Sequence, residues 1–470
     1  MNFKKLLGNM SIAFLAQGVS LLLSVVLSLV VPKVLSGSQF GYWQLFLFYS
    51  SYCGFFHFGL NDGVYLIHGG ESYNELDKKN VGSQLKLGII YQAIISSLIV
   101  AAAFFEIGDK DRLFVIVSTA IYLCINNAAF FIGFVFQMTN ETKLFSISVL
   151  ADKIFFLLSL IFLIMLGIKD YKIYTVLYIV SRSVALAYCF YRGKEILFAK
   201  YLGFKKTVPL VWESIRVGLK LTVANIASLL IIGIMRFMVD KAWGIETFGQ
   251  LSLALSLENF FLLFIQQISM VLFPALRQAD KKILNSFFSV FESLLTFLMP
   301  LAYILYFPIV FTVGKWLPNY SDSLKYFGLL LPICVFDSRM NLLCITYLKV
   351  LRKASLLLII NVCTVLGSGL ASAIGIYWFK SIEVTIVLVV IVTVLRSVVS
   401  EIILAKYMGS SSVVKSLFSV LIITAVFYIS QIYGNFTISM IATAISYMIF
   451  FAISRKSFVL IGSKLKKLKN

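Results

Sequence analysis

The chain has 470 residues, 60% of them hydrophobic and 13% charged, with a mean hydropathy of +0.94 and a formal net charge of +20. No aqueous core needs so much apolar surface, so a water-soluble domain is excluded as the class. The basic excess needs no nucleic acid either, because loops that face anionic lipid headgroups carry charge of this sign.

A hydrocarbon core about 30 Å thick takes roughly 20 helical residues. Apolar stretches of that length are predicted in chain order at residues 10–31, 40–60, 85–105, 113–136, 144–167, 171–191, 217–239, 247–273, 285–312, 324–348, 356–378, 384–405, 413–433 and 436–454. Their hydrophobicity is continuous rather than alternating, which argues against a β-barrel. The expected fold is therefore an all-α polytopic membrane protein with about 14 transmembrane helices. The first run follows Lys4 and Lys5 as a signal peptide's would, but it is long and lacks an Ala-x-Ala-like site, so an uncleaved first span is expected.

Lys and Arg concentrate in alternate loops, including Lys78, Lys79, Arg192, Lys194, Lys205, Lys206, Lys281, Lys282, Lys353 and Lys406. Cytoplasmic loops retain such residues, so both termini are expected inside. The expected organisation is an N-terminal lobe of six spans (1–192), a cytoplasmic linker (193–216), a second six-span lobe (217–409), two further spans (410–456) and a basic tail (457–470). That tail, Lys464 to Lys469, has the spacing of a surface helix.

Cys53, Cys124, Cys189, Cys334, Cys344 and Cys363 all fall in apolar spans without close pairing and read as packing residues. His57 and His68 offer no metal-ligand cluster, and no cofactor is expected. The loops are too short to build a soluble active site, which speaks against an enzyme.

Ser36 to Leu45 follows the first span and Gly244 to Leu253 follows the seventh; both contain Phe-Gly, at Phe40-Gly41 and Phe248-Gly249. The two strings suggest an internal repeat. With an even number of spans between them, the copies run parallel about an axis along the membrane normal, giving two pseudo-symmetric lobes.

The Lys-Lys before Gly8-Asn9, the two Phe-Gly hairpins, and Phe58-Gly59-Leu60-Asn61-Asp62-Gly63-Val64-Tyr65-Leu66 through Gly69-Gly70 and Tyr73 resemble the polysaccharide transporter family. That family holds lipid-linked oligosaccharide flippases of the multidrug/oligosaccharidyl-lipid/polysaccharide exporter superfamily. The resemblance implies a substrate of undecaprenyl diphosphate bearing a short oligosaccharide, turned from the inner to the outer leaflet by alternating access for a capsule or O-antigen-like polymer. It also implies a monomer working beside a polysaccharide polymerase and chain-length machinery. The first span carries no charge, unlike the arginine-bearing first helix of related lipid II flippases. A drug/ion antiporter of the same superfamily and a polysaccharide polymerase are the alternatives; the first needs an acidic pocket, the second a large outer loop.

A diphosphate entering hydrocarbon needs cationic donors, since a buried charge costs from about 2.5 to more than 10 kcal/mol depending on the scale. Lys153, Arg182, Lys220, Arg236, Arg339 and Arg396 fall within predicted spans. Arg182, Arg236, Arg339, Arg396 and Lys153 are the expected substrate ligands, because a planar fork donates two parallel bonds to phosphate; helix-bracing ion pairs are the alternative. Lys220 is expected to snorkel. Asp152, Glu258, Glu292 and Asp337 are candidates for coupling transport to H+ or Na+, and Asp62 for a gating hydrogen bond. Glu401 is read as an interface residue. Pro274, Pro300, Pro308 and Pro332 are expected hinges, and Gly367, Gly369, Ala371, Ala373 and Gly375 make span eleven small-sided for close packing.

Overall fold

The computed structural model describes the backbone of residues 3–277, 281–351, 353–409 and 412–469, and the side chains from 15 to 452 within those limits except at 263–264, 266–275, 277, 281–283, 354 and 412. The roles read for Lys4, Lys5, Gly8, Pro274, Lys281, Lys282 and the tail lysines lie outside the described side chains.

Among the described residues the chain is helical throughout, with eleven helical stretches long and apolar enough to cross a membrane and a shorter apolar helix at Phe436–Ala452. This is a multi-pass all-α membrane protein. Two features reconcile that number with the fourteen expected spans. The stretch Phe204–Leu262 holds two spans, because Gly244, at φ 82°, breaks the helix between residues 239 and 247. The second expected span is short because its helix ends at Ser51 and a 3-10 turn, Cys53–His57, carries the chain onward.

Two compact units follow one another along the chain, Met1–Ile226 and Ala227–Asn470. The first contains α1 (Phe3–Leu29), α2 (Val31–Val34), α3 (Gly37–Ser51), α4 (Leu60–Ile67), α5 (Lys78–Glu106), α6 (Lys110–Met138), α7 (Thr142–Met165), α8 (Tyr171–Arg192), α9 (Lys194–Leu197) and the start of α10 (Phe204–Arg277). α6 is its central helix, meeting α3, α4, α5, α7 and α8. Asp77 and Asp109 cap α5 and α6 by accepting from the first free backbone N–H groups.

Residues 193–216, expected to link the lobes, are packed onto the first unit. Lys78 pairs with Glu195, the Lys86 ammonium donates to the Ala199 carbonyl at 2.6 Å, and Ser214 donates to Gln84 at 2.7 Å. A Cβ on Gly63 would strike the Ser214 backbone, and one on Gly218 would strike Gly59 and Gly63. The spacing Gly59-x-x-x-Gly63 thus faces Ser214-x-x-x-Gly218, a small-residue crossing of α4 on α10.

The second unit holds the rest of α10, α11 (Lys281–Leu298), α12 (Leu301–Trp316), α13 (Ser321–Arg339), α14 (Thr346–Val350), α15 (Ala354–Ala373), α16 (Ile382–Met408), α17 (Ser412–Tyr433) and α18 (Phe436–Lys469). Pro300 marks the break between α11 and α12, whereas Pro308 and Pro332 sit inside continuing helices. Wide π-helical turns occupy Met340–Ile345 and Ile374–Trp378. The last two helices pack on α11 and α12. Tyr303 stacks on Phe427 at 4.6 Å and bonds Thr424, and Tyr447 donates to the Phe297 carbonyl. In span eleven Gly375 meets Thr385 without room for a Cβ, and Ser368 donates to the Ile231 carbonyl.

Candidate functional site

The ionisable residues expected inside the membrane form clusters within each unit. In the first unit, α7 brings Asp152 against Arg182 of α8, whose Nη1 donates to the carboxylate at 3.2 Å. Ser181 donates to the other carboxylate oxygen at 2.9 Å, and the Lys153 ammonium lies 4.0 Å away. Lys153 adjoins Asp152 in sequence, yet its long stem brings the ammonium back toward the carboxylate, so Asp152 serves two cations. The guanidinium also sits over Phe130, 4.5 Å from the ring centroid, and Lys153 lies 5.9 Å from that of Tyr178. Tyr178 itself is boxed by Trp43, Phe46, Tyr122 and Phe156. One donor of this arginine, Nε, has no hydrogen-bond partner in the protein.

Asp62 lies on α4 just past the break in the second span. It accepts from the Thr222 hydroxyl of α10, and its Oδ2 stands 4.0 Å from His57 Nε2. The backbone freed by the break is satisfied locally, since Asn61 donates to the Asn127 carbonyl at 3.2 Å and Asn127 to the Cys53 carbonyl at 2.9 Å.

The second unit holds two separate arginine clusters. Arg339 is fully buried, and its fork grips Glu401 of α16 through Nε at 2.9 Å and through Nη2, while Nη1 donates to Thr296 at 2.9 Å. Glu401 is thus no interface residue; it has no exposed surface. Arg396, one turn and a half earlier on α16, faces elsewhere. It lies 3.5 Å from Asp337 and donates to Asn361 at 3.0 Å, with its Nε left without a partner. Glu258 is buried within electrostatic reach of Asp337, and its Oε1 accepts no hydrogen bond. Asp337 thus stands between one guanidinium and one further carboxyl, that of Glu258.

Arg236 donates to Ser252 at 2.8 Å and lies over Phe248, so it bridges the two halves of α10 across Gly244. Glu292 is buried one turn from Thr296, near the Arg339 pair. Lys220 is exposed, as its snorkelling reading requires. Four partnerships were not expected from the sequence: His57 and Thr222 beside Asp62, Asn361 with Arg396, and Glu401 with Arg339. Uncharged hydroxyl and amide groups in apolar spans gave the only signal for Thr222 and Asn361.

The sequence model of the family described as "Polysaccharide biosynthesis protein" matches residues 6–280. No curated protein matches the chain significantly. Among solved structures, the lipid II flippase MurJ in an inward closed conformation shares 13% identity, with 96% of this chain and 100% of that one covered at a TM-score of 0.63. An inward-facing multidrug resistance MATE family transporter of the MOP superfamily shares 14% identity over 85% and 94% of the two chains, TM-score 0.59. The Vibrio cholerae MATE transporter VcmN shares 12% over 87% and 98%, TM-score 0.55. The fold is that of this superfamily.

Proposed function

Since this chain belongs to the polysaccharide biosynthesis protein family, we propose that it is a transporter rather than an enzyme, one that flips a polyprenyl-diphosphate-linked oligosaccharide across the cytoplasmic membrane. The observation that carries the reading is that arginines buried in membrane-length helices keep donors to spare. Arg182 and Arg396 each retain an Nε–H without a protein partner, whereas Arg339 commits all three nitrogens to neighbours. An unsatisfied buried donor is costly unless a ligand or water completes it. A diphosphate supplies acceptor oxygens of the right charge, and the guanidinium, half-neutralised by Asp152 or Asp337, is held ready without being consumed. On this reading Arg182 in the first unit and Arg396 in the second are each a headgroup ligand in their own unit, Lys153 adds charge beside the first, and Arg339 braces its helices.

The sugar would follow the charged head while the polyprenyl tail stays in lipid, the polar interior opening to each leaflet in turn. The buried acids Glu258 and Asp337 are the proposed sites for a coupling ion, H+ or Na+. The undecaprenyl carrier, the cytoplasmic termini, the monomeric state and contact with a polymerase belong to the same proposal.

Reconstitution in vesicles with fluorescent polyprenyl-diphosphate oligosaccharide tests it. Accessibility of the label to a membrane-impermeant quencher should rise with the wild-type chain and not with Arg182→Gln plus Arg396→Gln. Equal accessibility with and without the wild-type chain would reject transport.

A further inference from the structure

The second span is interrupted where the chain offers one of its two histidines. After the 3-10 turn, Phe58 takes a left-handed conformation at φ 50°, rare for a bulky residue, and Gly59 follows at φ 94°. The Gly59 N–H donates to His57 Nδ1 at 3.0 Å, so the ring's own proton sits on Nε2, the nitrogen that faces Asp62. His57 is buried.

We propose that His57 is a proton-binding site that sets the break in the second span. A proton arriving at Nδ1 converts the acceptor of the Gly59 N–H into a second donor. The two donors repel, the bond that closes the break is lost, and the imidazolium is drawn through Nε2 to the Asp62 carboxylate. Asp62 then has a stronger partner than the Thr222 hydroxyl. Protonation thus exchanges a bond that holds the break for an ion pair that loosens α4 from Thr222.

The groups around the ring leave one charge to respond. α4 presents Asp62; α5 presents Tyr91, whose hydroxyl donates to the His57 carbonyl at 3.1 Å. From α3, Tyr52 stacks on Phe55, and Cys53 at the start of the turn points to the Thr119 carbonyl of α6. α6 adds the neutral Asn127, and α10 the neutral Thr222. Among the described residues Asp62 is the charged side chain that reaches the ring. The purpose of such a switch, timing the opening of one face, rests on the transport reading; the proton site does not.

The test uses the full chain in lipid nanodiscs with nitrogen-15-labelled histidine, and a His68→Asn variant that leaves His57 as the single signal. At high pH the spectrum should be that of the neutral ring protonated on Nε2, giving way to imidazolium on acidification. Asp62→Asn should lower the midpoint by about one pH unit, the loss of an adjacent opposite charge. Amide exchange across residues 58–64, corrected for its intrinsic pH dependence, should rise about tenfold over the same interval, the factor for a one-unit difference between the two arrangements. In His57→Asn, whose amide oxygen takes the Nδ1 position, exchange should stay flat. A ring that remains neutral to pH 4, or an exchange transition that persists in His57→Asn, overturns the proposal; the first arm needs no variant at His57. A chain that titrates in this way but moves no lipid-linked oligosaccharide would fault the transport reading alone.

Discussion

Arg339 and Glu401 form a two-pronged ion pair in which neither side chain has any exposed surface. Removing one partner strands a charge in a low-dielectric interior, at a cost of about 3–5 kcal/mol, whereas replacing both by apolar groups is often neutral. Arg339→Met should therefore lower the unfolding midpoint in mild detergent sharply, and Arg339→Met with Glu401→Leu should recover most of it. Equal midpoints for the single variant and the wild type would remove the bracing role.

Arg182 and Arg396 are expected to behave differently. Each keeps a spare donor, and a charge-assisted bond contributes about 1.5–3 kcal/mol. Arg182→Gln and Arg396→Gln should each cut flipping roughly tenfold or more while the amount of chain in the membrane holds. Arg→Lys at either site should restore less than half, since the ammonium lacks the fork. Undiminished flipping by both glutamine variants would end their assignment.

At the crossing of α4 on α10 the limit is steric. Gly63→Ala and Gly218→Ala place a Cβ inside backbone atoms, and overpacking of this kind costs about 1–3 kcal/mol. Gly54→Ala has open space at the same position and serves as the control. Folded yield after detergent extraction should fall for the first two and not for the third.

Glu258 is buried within electrostatic reach of Asp337, which pairs with Arg396, so neutralising either acid removes negative charge that would attract a cation. Glu258→Gln and Asp337→Asn should leave flipping insensitive to imposed proton and sodium gradients. Should wild-type flux ignore both gradients, there is no coupling for these residues to carry.

Outside the membrane, Asp109 allows a pH test. Its burial pushes the carboxyl up, but the Tyr42 hydroxyl, the N–H groups of Asp111 and Arg112 and the Arg112 charge outweigh this and hold it below the usual carboxylate value of 3.8. A lowered folded value means stability that is present above pH about 4 and lost as pH falls through the folded value. The side chain is two-fifths exposed, so the effect is expected below about 1 kcal/mol. Thermal midpoints from pH 6 to pH 3 should decline less steeply in Tyr42→Phe than in the wild type.

Length and hydropathy made the helical class and the order of spans legible, because every apolar run of twenty residues must satisfy its backbone internally. Where a span departs from that rule, the pattern said less. In Cys53 to Gly59 only two glycines and a histidine interrupt an aromatic run, too little to announce a 3-10 turn. The charged residues were visible, but their partners were not. Arg182 and Asp152 lie on successive helices, and Arg339 and Glu401 on helices three elements apart, so partnership is set by helix rotation, which one sequence does not encode openly. Residues 193–216 look like a polar linker; Gly82 and Ser83, in the expected loop before the third span, and Ser214, within the segment itself, carry no sign in the sequence that they hold it down.

The wide turn at Met340–Ile345, where the Thr346 hydroxyl donates to a carbonyl five residues back, has a bearing on how this chain tolerates change in length. Deleting a residue from an ordinary α-helix swings every later side chain by about 100°, taking buried groups to the lipid side. A π turn already contains the surplus residue, so its loss would tighten the coil to the common form and leave the flanking faces where they were. Natural shortening of this protein within a span is therefore best absorbed at the wide turns, directly after Arg339 and at the close of α15.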